Sequence, residues 1–149
     1  MKTYQHLFVP VDGSELSHRA MTESIALARQ LGASITGFVV EPDVPLSAVT
    51  RDSADLQESI RANDKKNDAH AGALLQRFAD LAAQGGVAFR PHHVTAYLVN
   101  QAIVDEAEAV GADMIVMVTH GRNALGEFIF GSHARQIIAK TRLPVLVLH

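Results

Sequence analysis

The chain has no cysteine, which excludes disulfides and thiolate chemistry and leaves a cytoplasmic setting as the expectation. No stretch approaches the ~18 consecutive apolar residues of a membrane span. The opening MKTYQHLFVPVDGS meets a turn signal too soon to be a secretory apolar region. Neither sign of charge is in large excess: 13 Lys and Arg against 16 Asp and Glu give a net charge of −3, and the pI is near 6.2. That balance argues against a nucleic-acid partner, so any anion site must be local. Familiar nucleotide signatures are missing too. There is no G-x-x-x-x-G-K-[ST] and no G-x-G-x-x-G after the first strand. No Ser–His–Asp order, metal-ligand spacing or convincing general base stands out, so no catalytic or metal-binding residue is assigned.

What is present is a repeating pattern. At 149 residues and 48% hydrophobic content, the chain is expected to form one domain, 1–149, with a proper core. HLFVPV (6–11) reads as a first strand, followed by Asp12-Gly13-Ser14, with Ser14 as a helix N-cap. A helix then carries Met21, Ile25 and Ala28 on one face and stops near Gly32. SITGFVV (34–40) reads as the second strand. Residues 43–68 are the least regular and read as a loop entering a helix; from Ala71 the stripe Leu74, Leu75, Phe78, Leu81, Ala82 is clear.

VAFRPHHVTA (87–96) reads as a third strand, pushed towards a sheet edge by Pro91. Val99, Ile103, Ala107 and Val110 form a helical stripe ending at Gly111. DMIVMVT (113–119) is a continuous apolar strand of the kind buried on both faces of a parallel sheet. A short helix over about 132–141 precedes the final PVLVLH. This alternation predicts a doubly wound α/β sheet, with ligands in the crevice beyond the strand C-termini.

Two turns fall on that edge. The stretch VTHGRNALGEFIFGS (118–132) holds Gly121, Gly126 and Gly131, which permit close backbone approach, and Ser132 at a helix start. A helix N-terminus offers free N–H groups and a positive dipole end to phosphate, and Arg122 can add a charged donor. An ordinary flexible loop with a serine cap fits the same composition. His120 fits a loop-capping role as well as a ligand role. Asp12 could hold a ribose hydroxyl or Mg²⁺, or form an Asx turn, and these are compatible. His92 and His93 are adjacent on a strand, face opposite sides, and cannot easily share a metal.

These residues resemble the universal stress proteins. ATP-binding members of that family carry G-x-x-G, nine residues, then G-[ST] after the fourth strand. Here Gly121 is followed by nine residues, Arg122 to Phe130, and then by Gly131-Ser132. FVPVDGSELSHRA and TRLPVLVLH are similar to the family's first turn and last strand, so the resemblance covers the whole chain.

The resemblance implies a five-stranded parallel sheet in the order 3-2-1-4-5 with helices on both faces and a cleft between strands one and four. ATP, AMP or another adenine nucleotide is the implied ligand, with Mg²⁺ as a candidate companion. It would place the adenine near Val11, Asp12 and Val39, and the ribose and phosphates along Met117, Gly121, Gly131, Ser132 and the backbone of His133; Pro10, Val118, His120 and Arg122 are expected among the nucleotide-binding residues as their neighbours in the two turns. Val118 departs from the pattern, which has its first glycine there. Its side chain could point into the sheet and leave only backbone facing the ligand, or it could intrude on the nucleotide and leave a ligand-free interaction module. A small stress-response regulator with at most slow ATP hydrolysis is the implied function. The apolar strand 144–148 would sit on a sheet edge and is expected to pair with a second copy across a two-fold axis.

Overall fold

The computed structural model describes residues 3–43, 53–119 and 132–149. Its elements run β1 (His6–Pro10), α1 (Glu15–Leu31), β2 (Ser34–Pro42), α2 (Ser53–Gln84), β3 (Phe89–Ala96), α3 (Val99–Ala109), β4 (Met114–Val118), α4 (Ser132–Lys140) and β5 (Val145–Leu148). The five strands form one parallel sheet in the order β3-β2-β1-β4-β5. Strand order therefore reverses between β1 and β4, the position at which open α/β sheets leave a crevice.

Side-chain alternation along β1 builds two cores. Leu7, Val9 and Val11 join Met21, Ile25 and Ala28 of α1 and Ala71, Leu75 and Phe78 of α2 on one face. Phe8 points the other way and joins Phe38, Ile103, Ala107 and Ile137 under α3 and α4. Phe8 and Phe38 lie 4.8 Å apart, and truncating so buried a ring costs about 3–5 kcal/mol. At the opposite edge of the sheet, both carboxylate oxygens of Asp113 accept from the His6 amide and one also accepts from Gln5, holding the start of β1 against β4.

Strand β3 is an edge strand, which accommodates Pro91, since an edge can spare one backbone donor. Helix α1 stops at Gly32 in the left-handed region, as its sequence predicts. Within 43–68, expected to be a loop entering a helix, α2 begins at Ser53. Among the described residues its first half is almost entirely exposed, so no apolar stripe marks it. It is helical through the absence of Gly and Pro and its content of Ala, Glu, Gln, Arg and Lys.

Candidate functional site

Strand β1 ends at Pro10, and the Val11 amide continues the pairing by donating to the Phe38 carbonyl at 2.8 Å. The chain must then turn into α1 within four residues, Val11 to Ser14. Asp12 makes the turn: its Oδ1 accepts from the Ser14 amide at 2.9 Å and from the Ser17 hydroxyl at 3.1 Å. The Ser17 oxygen in turn accepts from the amides of Asp12 at 3.1 Å and Gly13 at 2.9 Å. The one donor and two lone pairs of that hydroxyl are thereby all used. Ser14 does occupy the N-cap position, yet its hydroxyl makes no capping bond; Asp12 and Ser17 organise the turn instead.

Burial works to raise the Asp12 pKa, but donors on Ser14 and Ser17 and its own amide outweigh it and hold the carboxyl below the ordinary range. Both geometric bonds fall on Oδ1, so Oδ2 is not needed for the turn. Gly13 has φ +81°, a conformation that glycine adopts without a Cβ penalty.

The structure gives the adenine-side valines a limited role. Val11 and Val39 are both core residues beneath α1 and α2, so a ligand can meet only their backbone. On the other side of the crevice, Met117 packs against the core under α3 and α4, and Val118 against the core under α1 and α2. Val118 lies opposite Leu148 of β5, with its side chain engaged in the sheet packing. Ser132 and His133 open α4 and are exposed. His133 Nδ1 donates to Asn100 Oδ1 at 2.7 Å, and the Asn100 amide donates to Gln136 at 2.6 Å, tying the start of α4 to α3. The expected contributions of His120, Gly121, Arg122 and Gly131 lie outside the described residues.

His92 and His93 do face opposite ways. His92 meets Glu106 of α3 at 2.6 Å and stacks on Phe38, whereas His93 approaches Asp68 of α2 at 3.4 Å. Among the described residues no three metal-ligating side chains converge, and no helix is long and apolar enough to cross a membrane.

Sequence reasoning missed Ser17, Glu41, His70 and Asn100. Ser17 carried a usable signal, being a polar residue four before Met21 on the buried stripe of α1. Glu41 shares the strand face of Val39 and its burial was readable in period; its partner His70 was not.

A five-stranded parallel sheet in the order β3-β2-β1-β4-β5 defines a class of small doubly wound α/β domains. The comparison with known proteins narrows it: the universal stress protein family profile matches residues 3–149, and the chain belongs to that family. It is 28% identical over 145 residues to a universal stress protein of Methanocaldococcus jannaschii, covering 97% of this chain and 82% of the relative. Among solved structures it resembles a universal stress protein from Archaeoglobus fulgidus in complex with dAMP, with TM-score 0.62, 23% identity and 99% and 100% of the two chains covered. It also resembles a universal stress protein in complex with cAMP, with TM-score 0.71, 21% identity and coverage of 99% and 98%.

Proposed function

We propose that this chain is a stress-response regulator that binds ATP or a related adenine nucleotide such as AMP between β1 and β4. The observation that carries this reading is the placement of the Asp12 turn at the end of β1, which neighbours β4 at the strand-order reversal, with α4 the next described element after β4. The nucleotide complexes of the two solved relatives support it. Backbone groups of Pro10, Val11 and Val39 border the base, and Asp12 Oδ2 meets a ribose hydroxyl. The amides at Ser132 and His133 face phosphate, with His120, Gly121, Arg122 and Gly131 completing that side. The Val118 side chain belongs to the packed sheet, which favours this reading over a ligand-free module. Among the described residues Asp12 is the carboxylate at this turn, so Mg²⁺ would be held chiefly by the phosphates themselves.

Thermal unfolding of nucleotide-stripped protein tests the reading. At 100 times Kd, ATP should add about 2.7 kcal/mol and raise Tm by roughly 5–10 °C. No shift at millimolar ATP or AMP would favour the ligand-free module, and a shift gained only by Val118→Gly would make the valine the obstacle. Turnover of many equivalents would move the protein to the enzymes.

The same reading includes a homodimer through β5. This strand is a sheet edge, and its four apolar residues are only half-covered. Val147→Lys should give a monomer or insoluble protein in sedimentation experiments; an unchanged dimer would count against that interface.

A further inference from the structure

Beside the Asp12 turn lies a titratable pair that neither the turn nor either core requires. Glu41 ends the buried face of β2, two residues beyond Val39, and its side chain is 9% exposed. His70 reaches it from α2, Nδ1 to Oε1 at 2.6 Å, with its own side chain 50% exposed. The far edge of the imidazole lies over Gly13: a Cβ there would stand 2.9 Å from Nε2 and 3.4 Å from Cε1. His70 thus spans the ends of β2 and β1. Nε2 has no hydrogen-bond partner among the described residues.

The chemistry of the pair fixes what the free nitrogen offers. A carboxylate accepts and does not donate, so the short bond places the proton on Nδ1. With Nδ1 as the donor, Nε2 is the ring's acceptor whenever the ring carries a single proton. An acceptor at the edge of a base site favours a base carrying an exocyclic amino group and disfavours one carrying an oxo group there. A half-exposed salt bridge that merely tied α2 to the sheet would contribute little.

We propose that His70, oriented by Glu41, reads the base of the bound nucleotide and selects a 6-aminopurine over a 6-oxopurine. This inference rests on the nucleotide-binding reading above and adds a side chain from α2 to it. The pair acts through its tautomer: Glu41 is the positioning residue and His70 the contact.

Calorimetric titration with ATP and with inosine triphosphate, in which an oxo group replaces the amino group, tests this. The unaltered protein should bind ATP about tenfold tighter than inosine triphosphate, the scale of one partly exposed hydrogen bond. His70→Phe keeps the ring and removes the acceptor, and should lower that ratio about fivefold. Glu41→Gln is nearly isosteric, but its amide can donate to Nδ1 and drive the proton to Nε2. That variant should move the ratio towards inosine triphosphate at an unchanged Tm, which a purely structural role would not do. Equal affinities in the unaltered protein, or a ratio unmoved in both folded variants, would overturn the inference while leaving nucleotide binding in place. Failure to bind either triphosphate would instead overturn nucleotide binding itself, and this inference with it.

Discussion

The two sides of the reversal point between β1 and β4 are built on different terms. On the β1 side, the turn is closed on itself: Ser17 takes both turn amides, Asp12 takes the Ser14 amide, and His70 covers Gly13. On the α4 side, Ser132 and His133 stand exposed at a helix start whose first amides have no partner within the helix. Polar groups engaged with one another contribute to stability, whereas polar groups left facing outward are available to a ligand. Substitutions at Ser17 and Gly13, which only close the turn, should therefore register in unfolding, and substitutions at Ser132 in binding.

The largest effect is expected at Ser17. Ser17→Ala strips the acceptor from two amides at a site only 5% exposed, and should cost about 2 kcal/mol. Urea unfolding would measure it, and a loss below the error of the method would mean that the turn amides find other partners. Next comes Ser132→Asp, which should separate the two quantities. A carboxylate at that helix start should stabilise the fold by about 0.5 kcal/mol while repelling phosphate and weakening ATP about tenfold. Parallel changes in Tm and affinity would break the contrast between the two sides.

Gly13→Ala should cost about 1 kcal/mol for its positive φ; the 2.9 Å approach to Nε2 adds little if the imidazole swings aside. Combining it with His70→Ala would distinguish strain from crowding. The smallest effect is a pH dependence. Because the folded-state pKa of Asp12 is depressed, its stabilising contribution is present above the unfolded value, ~3.9. That contribution is lost as pH falls through the lower folded value. Asp12→Asn should flatten the fall in stability between pH 5 and 2, and an unaltered slope would assign the acid sensitivity to other carboxylates.

The same contrast explains how much was legible beforehand. Strand β4 and the stripes of α1 and α3 were readable because each buries a face, and burial writes a period into the residues. Among the described residues the early half of α2 buries no face and left no period, so its start could not be read from the sequence. Asp12 was recognisable as a turn residue next to Gly13, but the serine that completes its network sits one helical turn further on. Val11 lies just past the end of β1, whereas β2 runs on to Pro42, beyond the expected 34–40, and leaves Val39 inside the strand; burial restricts both to backbone contacts.

The sequence by itself determined the alternation of elements, the family, and the Asp12 turn after β1, because these depend on local period and on residues close in the chain. Only the tertiary structure decided that His70 lies over Gly13 and against Glu41, 29 residues away. The physical reason is that such a contact depends on where α2 lies on the sheet, which is set by the summed packing of Ala71, Leu75 and Phe78 rather than by any residue near the pair in sequence.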